Sequence, residues 1–129
     1  MAQGTTRIVG WTLDRAQRAE LLGRLPPAYP DPVADHVTLV RSAQGEVPAA
    51  PSSAELIGRA DDGAGVECYV VRMDGTTDRP GGGTYHITWS LDRAKGRTAR
   101  ESNDVIRERG WTDLPEPVPV RLEPGSWES

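Results

Sequence analysis

The chain contains only two histidines, and each one begins the same kind of four-residue segment. The two segments are His36-Val37-Thr38-Leu39 and His86-Ile87-Thr88-Trp89. Side chains alternate between the two faces of an extended strand, so a histidine and the threonine two positions later share a face. The pattern therefore predicts two strands that each present an imidazole beside a hydroxyl.

Two such pairs facing one cleft would suit displacement at a phosphodiester. That reaction needs a base for the attacking water or hydroxyl, an acid for the leaving oxygen, and donors for the non-bridging oxygens. Histidine suits both proton transfers because its ordinary pKa of about 6.5 leaves both forms accessible at neutral pH. We therefore predict His36 and His86 as the catalytic pair, with Thr38 and Thr88 as phosphate donors and with no metal or other cofactor. The competing interpretation is that these side chains only occupy the solvent face of half-buried strands, where threonine is common.

The rest of the sequence predicts an α+β fold of short strands and two helices. The predicted strands cover residues 6–13, 35–42, 54–61, 66–74 and 84–91, with a last strand around 118–122. The predicted helices cover residues 15–25, after an Asp14 cap, and 100–109, before Gly110. A loop with three consecutive glycines precedes the second histidine segment. The two histidine segments, similar and about fifty residues apart, indicate two equivalent central strands in a pseudo-symmetric fold.

Length and composition predict a single domain over residues 1–129. The chain is 36% hydrophobic and 26% charged, long enough for one core and too short for two ordinary ones. It has no apolar run of about eighteen residues and no recognisable secretory leader, so we expect a cytoplasmic protein that does not associate with membranes. The single cysteine, Cys68, cannot form an intramolecular disulfide and is expected in the core.

The net charge of −4 means that the molecule as a whole does not attract polyanions. A nucleic acid would therefore need a local basic patch. The best candidate is the run Arg93, Lys95, Arg97 and Arg100, directly after the second histidine segment. Within this run, Lys95 and Arg97 are predicted to contact phosphates beyond the reacting one. The alternative is a solvated basic loop.

Polar and aromatic residues outside the two motifs are further candidates for binding substrate. Ser102 and Asn103 either bind substrate or cap the second helix. Tyr29 lies in the proline-rich connection before the first motif and is predicted to meet a base. In contrast, Tyr85 and Trp89 fall on the strand face opposite His86 and are expected in the core.

The motifs resemble those of the two-histidine phosphoesterase superfamily, which includes RNA ligase-like and cyclic phosphodiesterase enzymes. More narrowly, they are similar to the carboxy-terminal cyclic phosphodiesterase domain of fungal tRNA ligases and to small related proteins suggested to act in RNA repair. The segments that carry the resemblance are Asp35-His36-Val37-Thr38-Leu39, Tyr85-His86-Ile87-Thr88 and Glu101-Ser102-Asn103-Asp104. The resemblance implies a bilobal fold with antiparallel sheets lining a central cleft, proton transfer by His36 and His86, and phosphate binding by Thr38 and Thr88.

The function implied by the resemblance is metal-independent hydrolysis of 2′,3′-cyclic phosphate ends, commonly to a 2′-phosphate, in RNA repair or processing. The partner would be RNA with such an end, or a cyclic nucleotide. Two alternatives stay open. The same fold would serve as a non-catalytic module that binds an RNA end or a nucleotide, or as an RNA ligase-type enzyme in which a second nucleic-acid hydroxyl replaces water.

Overall fold

The computed structural model describes residues 7–42 and 46–128. Within these ranges the chain forms two antiparallel sheets and two α-helices, which confirms the predicted α+β class. The strands are β1 (Arg7–Leu13), β2 (Asp31–Pro32), β3 (His36–Ser42), β4 (Ala54–Asp61), β5 (Val66–Met73), β6 (His86–Leu91), β7 (Thr112–Pro119) and β8 (Leu122–Glu128). The helices are α1 (Arg15–Arg24) and α2 (Ser102–Arg109), and 3₁₀ turns at Arg93–Lys95 and Ala99–Glu101 precede α2.

The strands divide into a three-stranded sheet, in the order β3-β1-β8, and a five-stranded sheet, in the order β2-β6-β5-β4-β7. The main hydrophobic core contains side chains from both sheets and from α1, where Leu21 is fully buried. A second cluster packs α2 against the five-stranded sheet through Val105 and Ile106. Alternate residues of β5 enter different clusters, Val71 the first and Val70 the second, so this sheet is buried on both faces.

Most of the predicted elements are confirmed, and the carboxy-terminal part differs. The first helix begins after Asp14, whose carboxylate accepts a hydrogen bond from the Gln17 backbone N–H at 3.0 Å. The prediction of one last strand was wrong, because the chain forms both β7 and β8 there. Both strands contain proline and both lie at a sheet edge, where a strand tolerates the loss of an N–H donor.

The two histidine strands differ in their pairing. β3 is an edge strand of the smaller sheet, whereas β6 lies between β2 and β5 in the larger one. The prediction of two equivalent central strands is therefore not confirmed by the pairing. Instead, the chain from β2 to β3 is shared between the sheets: it pairs first with β6 and then with β1.

The transfer between sheets occurs at residues 33–36. Backbone N–H groups of Val33 and Ala34 still donate to carbonyls of β6, at 2.8 and 2.9 Å. Two residues later His36 already pairs with Thr12 of β1. Ala34 is fully buried and has a φ of 43°, in the left-handed region that an L-residue rarely adopts. The chain therefore turns sharply here, and β3 separates from β6.

Two arginines of α1 satisfy the carbonyls at this transfer. Arg18 donates to the carbonyls of Val33 and Ala34, at 2.9 and 3.1 Å, and Arg15 donates to the carbonyl of Asp35 at 2.9 Å. A backbone carbonyl that leaves a sheet needs another donor when it is shielded from water. The helix therefore stabilises the point at which the two sheets diverge.

No helix in the described ranges is long and apolar enough to cross a membrane.

We predict that Arg18→Met lowers the free energy of unfolding by about 2 kcal/mol, because two part-buried carbonyls lose a charged donor while the methionine keeps the apolar stem. Arg24→Met, in the exposed last turn of α1, is the matched control and is expected to change stability by less than about 0.5 kcal/mol. Urea unfolding of both variants measures the difference. Equal stability of the two variants would contradict a role for Arg18 at the transfer.

Candidate active site

A cleft of about 490 Å³ opens where β3 separates from β6, and both histidine motifs line it. His36 and Thr38 contribute from β3, and His86 and Thr88 contribute from β6. The structure therefore brings together all four residues predicted from the two motifs. The other lining residues are Ile8, Leu39, Val40, Arg41, Arg79, Pro80, Gly81, Gly82, Ala99, Arg100 and Asn103.

The first motif contains a β-bulge after its threonine. Val9 of β1 pairs with Val40, and the next residue, Gly10, pairs with Thr38, so Leu39 is the extra residue. A side chain at Gly10 would overlap the backbone of β3. This glycine therefore permits the close approach of β1 at the bulge.

The second motif contains a bulge at the same position. Glu67 of β5 pairs with Ser90, and Cys68 pairs with Thr88, so Trp89 is the extra residue. Bulges reorient side chains and are common beside active sites. In both motifs the histidine and the threonine keep strict alternation, and the irregularity follows them. The two motifs thus share a local backbone feature in addition to their sequence.

The cleft is positively charged, although the whole chain is acidic. Arg41, Arg79 and Arg100 line it together with the two histidines, and no aspartate or glutamate within residues 7–42 and 46–128 does. None of these three arginines forms a salt bridge with another residue in the part of the chain that the structure describes. Their positive charge is therefore available to a bound anion.

His86 is held as a neutral base. Its Nδ1–H donates to the carbonyl of Thr84 at 2.8 Å, because a carbonyl can only accept, and this leaves Nε2 as the basic nitrogen. The side chain is only 8% exposed. Burial lowers the pKa of His86; the hydrogen bond to Thr84 opposes this, while the charges of Arg79 and His36 lower it further. His86 is therefore neutral at pH 7.

His36 has an acidic neighbour instead. Its Nδ1 lies 3.0 Å from Oδ2 of Asp35, and Arg15 donates to the other carboxylate oxygen at 3.0 Å. Burial alone would raise the pKa of Asp35, but the hydrogen bonds from His36 and Arg15 outweigh it and lower that pKa. The Asp35 carboxylate thus stays ionised, and because it can only accept, Nδ1 of His36 carries the proton of this hydrogen bond. Trp127 packs edge-to-face against this ring, with centroids 4.9 Å apart.

Ser102 fixes the hydroxyl of Thr88. The two oxygens lie 2.8 Å apart, and the Thr88 hydroxyl also donates to the carbonyl of Ala99 at 3.2 Å. Ser102 is fully buried, so it does not line the cleft. The sequence left two roles open for Ser102, substrate binding and helix capping. The structure indicates a third role: Ser102 positions the threonine that lines the cleft.

Asn103 and the glycine-rich loop also line the cleft. The side-chain oxygen of Asn103 accepts from Arg79 at 3.1 Å, and its amide donates to the carbonyl of Arg100 at 3.0 Å. Arg79 also donates to the carbonyl of Gly82 at 3.1 Å, so its side chain is hydrogen-bonded to the glycine-rich loop that follows it. Asn103 therefore lines the cleft and orients an arginine there, and its binding of substrate stays a prediction.

Both residues predicted from the basic run, Lys95 and Arg97, lie outside this cleft. Lys95 is exposed and 3.7 Å from Asp92. Arg97 forms salt bridges with Asp62 and Glu101, at 2.6 and 2.7 Å, so its charge is compensated. The basic run was chosen because it follows His86 in sequence, but the 3₁₀ turn at Arg93–Lys95 directs these two residues elsewhere.

Tyr29 belongs to a buried polar network and does not line the cleft. Its hydroxyl donates to Asp61 at 2.6 Å, and its backbone N–H donates to Ser90 at 3.2 Å. Glu67, 1% exposed, accepts from Ser90 at 2.7 Å and from Arg59 at 2.8 Å. The network fastens the connection before β2 to the five-stranded sheet, so Tyr29 helps to set the path of the chain toward His36.

Other predictions about the core are confirmed. Tyr85, Trp89 and Cys68 are all buried. Burial raises the pKa of the Cys68 thiol to about 12, so it stays protonated and unreactive at neutral pH.

Arg41, Arg79 and Asp35 contribute to the site but were not predicted from the sequence. Asp35 directly precedes the first histidine, so adjacency was an available signal. Arg79 precedes the glycine run, and nothing in its local sequence indicates that its side chain turns back toward β6. Arg100 was part of the basic run but was not selected within it.

No group of three or more histidine, cysteine, aspartate or glutamate side chains within residues 7–42 and 46–128 is arranged to hold a metal ion. Comparisons of the chain with known protein families, with curated proteins and with solved structures give no match.

We predict that His86 titrates below about pH 6.5, the ordinary value for histidine, and that Arg79→Gln moves this titration to higher pH. The sign follows because Arg79 disfavours the protonated ring and its removal relieves that effect. NMR titration of the imidazole protons measures the pKa of His86 in the unchanged protein and in Arg79→Gln. The His36→Ala variant identifies which signals belong to His86. Lys95→Gln, outside the cleft, is the matched control. A titration of His86 that Arg79→Gln leaves in place would refute this electrostatic coupling.

Proposed function

We propose that the cleft hydrolyses 2′,3′-cyclic phosphate ends of RNA or nucleotides, with His86 as the general base and His36 as the general acid. The main support is one observation: a buried histidine near an arginine and a histidine beside a carboxylate face one cleft, whose described lining has three arginines and no carboxylate. A cleft of this charge suits an anionic substrate, and the two histidines suit a reaction that moves two protons.

We assign the roles of general base and general acid from the different environments of the two histidines. Neutral His86 accepts a proton from water as the water oxygen bonds to phosphorus. The bond from phosphorus to the ribose 3′ oxygen breaks, and protonated His36 gives its proton to that oxygen, which leaves a 2′-phosphate. Proton exchange with solvent then restores both rings. Asp35 acts through His36, as a positioning residue that accepts from Nδ1–H and leaves Nε2 for the proton transfer.

The threonines and arginines would stabilise the phosphorus centre. The hydroxyl of Thr38 donates to a non-bridging oxygen. The Thr88 hydroxyl does the same once it turns away from the carbonyl of Ala99, and Arg41, Arg79 and Arg100 supply positive charge around these oxygens. No step of this mechanism requires a metal. The resemblance of the motifs to those of two-histidine phosphoesterases favours the same reaction and a role in RNA repair or processing in the cytoplasm.

We predict that the protein opens adenosine 2′,3′-cyclic phosphate in the presence of a chelator, and that His36→Ala and His86→Ala each lower kcat by about 10²–10⁴-fold. Each variant loses one proton transfer and keeps the other groups of the cleft. Chromatography of the products measures the rate and identifies which phosphate monoester forms.

Lys95→Ala is the control, because Lys95 is exposed and lies outside the cleft. It is expected to keep full activity. Activity that survives either histidine substitution would rule out the two-histidine mechanism. Nucleotide binding without any product would favour the binding module instead, and transfer to a second RNA hydroxyl would favour ligase-type chemistry.

A further inference from the structure

A second depression of about 480 Å³ adjoins the cleft. It is lined by Arg79, Gly82, Gly83, Thr84, Asn103, Ile106, Arg107 and Trp111. Arg79, Gly82 and Asn103 line both spaces. A ligand with its phosphate in the cleft would therefore find the second depression directly beside it, across the side chain of Arg79.

Trp111 distinguishes this depression from the rest of the surface. Its side chain is 37% exposed, whereas Trp89 and Trp11 are 0% and 5% exposed. Exposing part of an indole to water costs free energy that a buried indole avoids. A partly exposed tryptophan beside a cleft that suits anions is therefore a candidate for contacting a ligand.

The indole is held in place before any ligand arrives. It fills the space above Gly58 of β4, where a Cβ atom would overlap the ring. Its Nε1–H donates to Asp113 at 3.2 Å. A rigid aromatic surface binds a flat ligand at a low cost in conformational entropy.

The remaining lining sets the chemistry of that ligand. Ile106 adds apolar surface, and Thr84 and Asn103 add polar groups. No acidic side chain in the described chain lines the depression, and Arg107 is already paired with Asp104 at 2.7 Å. Among the described lining residues, Arg79, at the boundary with the cleft, is the one charged side chain without a salt bridge. The depression thus suits a neutral, flat, hydrogen-bonding ring that is joined to an anion on the side of Arg79.

We infer that the second depression binds the base of the nucleoside whose cyclic phosphate reacts in the cleft, with Trp111 as its aromatic contact. This base site rests on the proposed function, because it takes the phosphate position from the two histidines. It adds a substrate class: a nucleoside cyclic phosphate would be preferred over a sugar cyclic phosphate that lacks a base. Arg79 would lie between the two parts of the ligand.

Binding of two products tests the base site without needing turnover. Calorimetry compares adenosine 2′-phosphate with methyl riboside 2-phosphate, which has the same phosphate and no base. The unchanged protein is expected to bind the adenosine compound about ten-fold more tightly, since contact with an aromatic side chain contributes on that order per base. Equal affinity for the two compounds would overturn the inference.

Two variants test Trp111 itself. Trp111→Leu removes the indole, and Gly58→Ala displaces it without removing it. Both are expected to abolish the preference for the adenosine compound and to leave binding of the baseless compound unchanged. Val47→Ala, an exposed apolar residue outside both depressions, is the control and should keep the preference. Circular dichroism verifies that each variant is folded, and a preference that persists in folded Trp111→Leu would overturn the inference.

The same compounds separate this inference from the proposed function. Hydrolysis of adenosine and baseless cyclic phosphates with the same KM would contradict the base site and leave the reaction supported. Base-dependent binding that is sensitive to Trp111, with no hydrolysis, would contradict the reaction and leave the base site supported.

Discussion

The site depends on one stretch of chain that is hydrogen-bonded to both sheets. Residues 31–34 pair with β6, and residues 36–42 pair with β1, so the backbone must leave one sheet for the other within two residues. The left-handed conformation of buried Ala34 marks that turn. Beyond it the two strands diverge, and each carries a histidine and a threonine into the space that opens. The cleft is thus a consequence of how the two sheets share this stretch, and α1 supports the divergence with Arg15 and Arg18.

The same geometry gives the two histidines different surroundings. His86 lies on an internal strand and is buried near Arg79. Burial and the positive charge of Arg79 lower the pKa of His86, so its neutral form is favoured. His36 begins an edge strand, and its Nδ1 lies beside the ionised carboxylate of Asp35. The two histidines therefore differ in burial and in the charge of their nearest neighbour. We propose different roles for them on this basis.

Alternation in the two histidine strands was enough to predict that both histidines and both threonines share one cleft. It was enough because the bulges fall after the His-x-Thr pairs and leave their period of two intact. The charged residues around the pair were harder to predict. Lys95 and Arg97 follow His86 closely in sequence, but a 3₁₀ turn and the salt bridge from Arg97 to Asp62 determine where they lie. The last two strands were also hard to predict, because proline is tolerated mainly in strands at a sheet edge, and the local sequence does not show which strands lie at an edge.

We propose that one phosphate contacts both histidine motifs, and a crystal structure of the complex with adenosine 2′-phosphate is the sharpest test. We expect the phosphorus between the imidazoles of His36 and His86. We also expect the hydroxyls of Thr38 and Thr88 within hydrogen-bond distance of the phosphate oxygens. A phosphate bound at Arg93–Lys95, or one that reaches only one of the two motifs, would refute the proposed site.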